Sequence, residues 1–459
     1  MKITAVVLAA GEGKRMKSRL YKVLHPVCGK PMVGHVVDHL SELSIHRTLV
    51  IVGHGAEDVK SYLGNGVEYI FQSEQLGTGH AVLQAKDAFE HEEGITIVIC
   101  GDTPLVQTQT LIQMINIHKE AQSAATILTA ILENPHGYGR IIRDDQQFVT
   151  AIIEQKDCNQ KQALIHEINT GTYCFDTQKL FRCLSQITNN NQQKEYYLTD
   201  VIRILHTQNE VVRGYCLEKS SESIGINDRV ALAEAQAIMQ ERINRAHMHN
   251  GVTLIHPAST YIDADVRIGM DTIIYPNTHL KGQTEIGENC RIGPDSEIID
   301  SVISDDVHIH HAVLHGAVID SSTQVGPFAY LRPGTKLGKH VKIGDFVELK
   351  NASIDDGTKV NHLSYVGDAI VGKNVNIGCG AITVNYDGQN KHVTRINDDA
   401  FIGSNVNLIA PITIGQGAYI VAGSTISEDV NAGDMAIARE RQTNKPGYAK
   451  ILRTRIQKK

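Results

Sequence analysis

The chain contains no tryptophan, and aromatic residues make up only 5% of its 459 positions. A core of stacked rings is therefore excluded, and with 42% hydrophobic residues the packing has to rest on Ile, Val, Leu and Ala. Cysteine is sparse and unpatterned. Cys28, Cys100, Cys158, Cys174, Cys183, Cys216, Cys290 and Cys379 show no CxxC and no paired spacing, which excludes a zinc ribbon and a disulfide framework and points to a reducing, cytoplasmic setting. No long block of Lys and Arg occurs, and 44 basic against 51 acidic residues leave a formal charge of −7. A broad nucleic-acid-binding face is not expected, so any phosphate site is local. No apolar run reaches membrane-spanning length. The run Ile3 to Ala10 ends in Gly-Glu-Gly-Lys-Arg and is read as a first buried strand, with no membrane partner expected.

The length exceeds the roughly 250 to 300 residues at which a single core stops growing, so at least two domains are expected. Residues 1–228 alternate short apolar runs with helical patterns: Ile3 to Ala10, Val33 to Leu43, Thr48 to Val52, Ala81 to Ala88, Ile95 to Cys100. That alternation predicts a mostly parallel, doubly wound α/β sheet, with ligands beyond the C-terminal strand ends where Gly11 and Asp102 fall. Residues 229–250 (RVALAEAQAIMQERINRAHM and its end) carry a helical period without Gly or Pro and read as a connecting helix. From 251 to 459 the period becomes six. Aliphatic residues recur at Ile262, Ile268, Ile274, Leu280, Ile286, Ile292 and Ile298, resume from Val313 through Ile319, Val325 and Leu331 to Leu349, and return from Ile396 to Ile426. One hexapeptide per side of a three-sided coil predicts a parallel β-helix with these residues pointing inward. Its repeats are a scaffold, so function is expected where the repeat breaks: Arg332 to Lys391, and the basic tail ARERQTNKPGYAKILRTRIQKK. The run HIHHAVLH at 308–315 looks like a metal cluster, but strand alternation is expected to scatter its rings.

Three local features carry chemistry in the first half. Gly11-Glu12-Gly13-Lys14-Arg15-Met16 is a glycine-rich turn whose exposed N–H groups can cradle phosphates, though it is neither a Walker A sequence nor GxGxxG and reads equally as a plain strand-to-helix turn. Asp102, in ICGDTPL, and Asn227, in GIND, suit either a hard cation or a helix N-cap.

The stretch LAAGEGKRM, followed by Lys22 and by Gly29-Lys30-Pro31-Met32, resembles the signature of sugar-nucleotide pyrophosphorylases. The resemblance implies a Rossmann-like nucleotidyltransferase domain in which the phosphate of N-acetylglucosamine-1-phosphate attacks the α-phosphorus of UTP. It assigns charge neutralisation to Arg15 and Lys22, and a Mg²⁺ ion to Asp102 and Asn227. Substrate contacts fall to Leu8, Gly11, Gly13 and Lys22, to Gln72, Gln75, Gly77 and Thr78 of QSEQLGTGHA, and to Gly139, Glu154, Asn169 and Asn227.

In the second half RPGTKLG, HVKIGDFVELKN, HLSYVGD, VNIGCG, NYDG and FIGSN are similar to the acetyltransferase domain of hexapeptide acyltransferases. With the first match this covers nearly the whole chain. It implies a left-handed β-helix joined by a helix to the nucleotidyltransferase domain, as in enzymes combining UDP-N-acetylglucosamine pyrophosphorylase and glucosamine-1-phosphate N-acetyltransferase activities. His362 becomes the general base, since a neutral imidazole accepts a proton from an amine near neutral pH. Arg332, Lys350, Tyr365, Asn376 and Lys391 are assigned to glucosamine-1-phosphate. Cys379, where some relatives have Ala, joins Asn385, Tyr386, Ser404, Ala422 and Arg439 on the acetyl-CoA side. Hexapeptide enzymes pack about a threefold axis, so a homotrimer is expected. The alternatives are a pyrophosphorylase for another sugar-1-phosphate with a non-catalytic β-helix, and a scaffold that has lost catalysis. His362 and the basic tail weigh against the first, Lys22 and Asp102 against the second.

Overall fold

In the computed structural model of the chain, which describes residues 2–89 and 92–457, the polypeptide divides into two compact units, Met1–Arg242 and Ile243–Lys459. The division falls inside the helix Arg229–His249. Arg242 donates to the Leu105 carbonyl of the first unit at 2.6 Å, and Ile243 packs on the core of the second.

The first unit is a nine-stranded sheet. Its main path runs Val212–Cys216, Ala125–Ile131, Glu167–Asp176, Gly94–Cys100, Lys2–Ala9, Arg47–Val52, Glu68–Phe71, and only Glu167–Asp176 lies antiparallel within it. Because both faces are covered, the strands are continuous apolar runs whose residues alternate between two cores. Val6, Leu49, Ile51 and Val98 face one, shared with helices Thr78–Leu83, Thr177–Leu184 and Asp200–Thr207. Val7, Val50, Val52 and Ile97 face the other, shared with Met32–Ser41 and Thr108–Glu120. Chain order reverses about Lys2–Ala9, which pairs with Arg47–Val52 on one side and Gly94–Cys100 on the other. Such a switch point opens a crevice beyond the strand ends.

The second unit is a parallel β-helix of three sheets with eleven, ten and nine strands. Up to the closing pair of Tyr419–Ile420 with Met435–Ala436, each strand pairs with the third one along the chain, so each coil has three sides. Between the inward residues Thr383 and Thr394 the chain leaves the prism in a hairpin, closed by an antiparallel bridge from Tyr386 to Lys391. Leu280, Ile298, Leu314, Leu331, Leu349 and Val366 form one inward column, each beside the next and all buried. The six-residue spacing placed Val313 in this column. The structure places Leu314 there instead, while Val313 stands outward beside Glu297 and Tyr330, 40% exposed. The coil is short: the inward residues Ile298 and Ile303, Ile309 and Leu314, and Leu314 and Ile319 are five apart. Counting back in sixes from Ile319 therefore misses by one, and a shift of one residue reverses a strand's faces. Within HIHHAVLH, Ile309 and Leu314 point inward and the His308 and His315 strands belong to different sheets.

Residues 437–457 of the tail include no buried residue, and the helix Tyr448–Ile456 is exposed along its length. Among the described residues no helix is long and apolar enough to cross a membrane.

Leu314→Ala should lower unfolding free energy by about 2–5 kcal/mol, the usual range for emptying a packed aliphatic site, whereas Val313→Ala should change it by less than about 1 kcal/mol. Denaturant unfolding of the two variants checks the inward column directly.

Candidate active sites

The first strand ends at Ala9, and the chain then turns through Gly13 in the left-handed region (φ +66) into the short 3₁₀ turn Lys14–Met16. A Cβ on Gly13 would lie 2.5 Å from the Lys22 Cβ, so glycine here lets the Lys22 side chain pass close to the turn. The Lys22 ammonium donates to Asp102 Oδ2 and, at 2.8 Å, to Asn227 Oδ1. Arg15 Nη2 donates to the same Asn227 oxygen at 2.8 Å. Two cations and two accepting side-chain oxygens, drawn from three distant segments, thus converge at the switch point. The Ile226 N–H, donated to the Asp102 carbonyl at 3.0 Å, ties two of the segments together. The Lys22 and Asp102 side chains are only 13% and 19% exposed, so this ion pair is far less screened than a surface one. The N-cap of the helix at Arg229 is Asp228, which accepts from the Val230 and Ala231 N–H groups. Asn227 is thereby free of capping and points to the cation cluster.

Beside the cluster lies a cleft of about 250 Å³ lined by Leu8, Gly11, Lys22, Gln72, Gln75, Gly77, Thr78 and Asp102 among others. Gln72 is buried and bonds the His80 ring at 2.9 Å. Thr78 accepts the Leu198 N–H at 3.1 Å, and Gly77 adopts φ +113 with the Tyr196 carbonyl 2.6 Å from where a Cβ would stand. The cleft also includes Cys100 and Glu195, which sequence reasoning missed. Cys100 is pushed up to about 12 by burial and is an inert wall.

Gly139, Glu154 and Asn169 form a second group. The Asn169 N–H donates to the Gly139 carbonyl at 2.9 Å, and a Cβ on Gly139 would stand 3.5 Å from Glu154 Oε1. Asn169 Oδ1 accepts the Gly171 N–H at 3.1 Å, and Gly171 lies against Cys100, so this group adjoins the cleft. Arg140, fully buried, holds the loop from below by donating to the Tyr138 carbonyl and, at 2.8 Å, to Gln155 Oε1. Burial raises the Glu154 carboxyl above the usual carboxylate range, with Thr199 partly offsetting it by a hydrogen bond.

In the second unit His362 stands at the end of the strand Lys359–His362, directly beside Asp345 in the adjacent coil. The ring Nδ1 lies 2.5 Å from Asp345 Oδ1, a carboxylate that can only accept when ionised and so selects the tautomer with its proton on Nδ1, and the His362 side chain is 60% exposed. The bond to His362 holds the Asp345 carboxyl below its ordinary value. Sequence reasoning missed Asp345. The signal was one coil length: Asp345 precedes His362 by seventeen residues, the same offset that pairs Val360 with Ile343.

Around the corner from His362, the sheet carrying Tyr365 gathers Arg332, whose Nη1 meets Glu348 at 2.9 Å, and Lys350, whose ammonium lies beside that of Lys391 and pushes it down. Asn385, buried, donates to Asp368 at 2.5 Å and approaches the Tyr365 hydroxyl at 3.5 Å. Cys379, Ser404 and Ala422 occupy one corner in successive coils, above Leu363 and below Arg439, whose side chain lies over Gly423. At about 4.8 Å per coil this edge runs about 14 Å from His362 to Ala422. Asn376 does not join Tyr365. It lies on another sheet, between Lys359 and Phe401.

The nucleotidyl transferase family profile matches residues 4–229. Further profiles match the bacterial transferase hexapeptide at 265–300, the GMPPB C-terminal domain at 313–386 and the hexapeptide repeat of succinyl-transferase at 393–428. The chain thus unites a nucleotidyl transferase unit with a hexapeptide-repeat transferase unit. It is 55% identical over 448 residues to the bifunctional protein GlmU of Geobacillus sp. (strain WCH70), and 54% identical over 448 residues to that of Listeria monocytogenes serovar 1/2a, covering 98% of each chain in both cases. It belongs to the family of bifunctional GlmU proteins. A solved UDP-glucose pyrophosphorylase complexed with UDP-glucose aligns with 53% of this chain and all of its own, at 18% identity and a TM-score of 0.44.

The raised carboxyl of Glu154 gives a pH test. A group whose pKa is higher folded than unfolded weakens the fold as pH rises between the two values, since only the charged form is penalised. In the ligand-free protein, Glu154→Gln should remove that decline while keeping an acceptor for Thr199. Unfolding free energy measured upward from about pH 4 should therefore be flatter in the variant than in the parent.

Proposed function

We propose that this chain makes UDP-N-acetylglucosamine in two reactions. The β-helix unit transfers acetyl from acetyl-CoA to glucosamine-1-phosphate, and the α/β unit then transfers uridylyl from UTP to the product, releasing pyrophosphate. The functional segments are 1–228, the linking helix 229–250 and 251–459. The observation that carries the two-reaction reading is the His362–Asp345 pair, because a β-helix that served only assembly has no need of a carboxylate-oriented imidazole with a free nitrogen.

In acetyl transfer the substrate amine attacks the thioester carbonyl. His362 Nε2 takes the proton from the attacking nitrogen as the C–N bond forms, the C–S bond breaks, and the imidazolium returns that proton to the leaving sulfur, so that CoA departs as its thiol. Asp345 fixes the ring and stabilises the imidazolium that forms. Arg332, Lys350 and Lys391 meet the sugar phosphate, Tyr365 and Asn376 the sugar, and the edge of Cys379, Ser404, Ala422 and Arg439, with Asn385 and Tyr386, the acetyl-CoA arm. Asn376 lies on a different side of the prism from Tyr365, which supports a homotrimer whose acetyl sites lie between copies.

In uridylyl transfer a phosphate oxygen of N-acetylglucosamine-1-phosphate attacks the α-phosphorus of UTP in line. Arg15 and Lys22 neutralise the charge that builds there, Gln72 and Gln75 read the uracil edge, and Gly139, Glu154 and Asn169 hold the sugar. Asp102 and Asn227 suit Mg²⁺: both present oxygen, both already bind one cation, the Lys22 ammonium, and Mg²⁺ needs only one or two protein ligands when phosphates and water supply the others. When bound, the ion supplies charge stabilisation to the phosphates. The eight cysteines, all free, suit a reducing cytoplasm.

Product analysis with glucosamine-1-phosphate, acetyl-CoA, UTP and Mg²⁺, omitting one at a time, tests the scheme. UDP-N-acetylglucosamine should appear only in the complete mixture, and thiol release should need neither UTP nor Mg²⁺. An active uridylyl transfer without thiol release would favour an inert β-helix.

The two chemistries should also fail separately. Asp102→Ala should abolish uridylyl transfer and spare acetylation, while His362→Ala should cut acetylation by roughly a hundred- to ten-thousandfold and spare uridylyl transfer. Separate rate measurements on each purified variant decide both.

A further inference from the structure

Between the helices Thr177–Leu184 and Asp200–Thr207 of the first unit runs a segment, 191–199, with neither helix nor strand of its own. Such a segment has to find partners for its backbone elsewhere, and this one finds them on both sides of the uridylyl site. On one side it is bound to the loop of Gly77 and Thr78. The Tyr196 N–H donates to the Leu76 carbonyl at 2.8 Å, the Tyr196 carbonyl accepts the Gly79 N–H at 2.8 Å, and the Leu198 N–H donates to the Thr78 hydroxyl at 3.1 Å. On the other side it is bound to the segment bearing Glu154. The Gln192 N–H donates to Asp157 Oδ1 at 3.2 Å, Lys156 Nζ donates to Gln193 Oε1 at 2.7 Å, and the buried Thr199 hydroxyl donates to Glu154 Oε1 at 3.3 Å. Glu195, between these attachments, lines the cleft.

One amide shapes the segment. Asn191 Oδ1 accepts the N–H groups of Gln193 and Glu195, each at 3.2 Å, and its Nδ2 donates to the Glu195 carbonyl at 2.6 Å. The turn so closed holds Lys194 in the left-handed region (φ +58), which a residue with a Cβ occupies only at a cost. Two routes therefore join the sides. Leu198 passes directly to Thr199 and so to Glu154, whereas Tyr196 reaches Gln192 and Gln193 only across the turn that Asn191 closes. We propose that 191–199 is a strap coupling the two halves of the uridylyl site, with Asn191 and Thr199 as its positioning residues, so that a nucleotide on the Gly77–Thr78 loop strengthens binding of the sugar phosphate at Glu154. This rests on the uridylyl-transfer reading above. Asn191 does not line the cleft. Its effect is on how firmly one half senses the other.

The test reads binding without turnover, using Mg²⁺ and α,β-methylene-UTP, whose methylene bridge blocks release of pyrophosphate. In calorimetric titrations of the parent, saturating analogue should tighten N-acetylglucosamine-1-phosphate by about fivefold or more, and the sugar phosphate should tighten the analogue by the same factor. Asn191→Ala and Thr199→Val should each lower that factor, the double variant should bring it below about twofold, and Thr199→Ser, which keeps the hydroxyl, should retain it. Because the factor is a ratio, a general weakening of either site leaves it unmoved. Hydrogen exchange gives a second readout. The analogue alone should slow exchange at 154–157 as well as at 76–79 in the parent, and only at 76–79 in the double variant. Acetyl transfer should not change in any variant. A parent that binds both ligands without coupling overturns the proposal, as does a double variant that keeps the parent's factor or its protection at 154–157. If the double variant does not bind the analogue, the single variants decide by the same factor. A parent that binds neither ligand sinks the uridylyl-transfer reading and the strap with it.

Discussion

A parallel pair of strands cannot be closed by a tight turn, because the chain has to return to the end from which it started before it can pair again. Both units are organised by this constraint. In the α/β unit the return is made by helices on either face, so the strand exits at Gly11 and Asp102 collect on one edge although ninety residues separate them. In the β-helix the return is made by two further strands, so every residue gains a neighbour one coil away in sequence. The two candidate sites occupy the places this creates: the crevice of unlike strand exits in one unit, the corners of stacked coils in the other.

The two solutions handle charge differently. At the switch point Lys22 and Asp102 are mostly withdrawn from water, and each depends on the other for compensation. An anionic ligand can then compete for a cation already desolvated and aimed. On the β-helix the core is aliphatic with small hydroxyls and the Cys290 thiol, Asp368 is buried where the hairpin leaves the prism, and His362, Asp345, Arg332 and Lys350 stand outside that core. His362 is accordingly exposed and owes its orientation to a carboxylate neighbour rather than to burial.

Much of this was legible in the sequence, for reasons that can be named. The sixfold period survives because each inward aliphatic stacks on another, and one polar substitution would open a line through the core. It failed at Val313 because two adjacent sides of that coil are shortened, and a period cannot register a residue that is absent. Asn227 was ambiguous with an N-cap until Asp228 was seen to do the capping. Asp345 escaped notice because its motif contains several polar residues and only the coil length singles it out. Glu195 and the burial of Arg140 come from tertiary packing of segments with no pattern of their own, and nothing local announces them. The separation of Asn376 from Tyr365 follows only once each is assigned to a side of the prism.

The hairpin at 385–392 also divides the chain by how it can change length over evolutionary time. It departs from the prism at Asn385 and rejoins by Thr394, whose strand pairs with that of Ala369 in the preceding coil. The scaffold registers only those two points. Residues could be gained or lost at its tip without rotating a single inward side chain. Between Asp345 and His362 no such freedom exists, since one inserted residue in a strand would turn the imidazole away from its carboxylate and reverse the faces of the strand that bears it. An architecture of this kind can therefore vary in length at the hairpin, whereas the Asp345–His362 pair can change only by substitution.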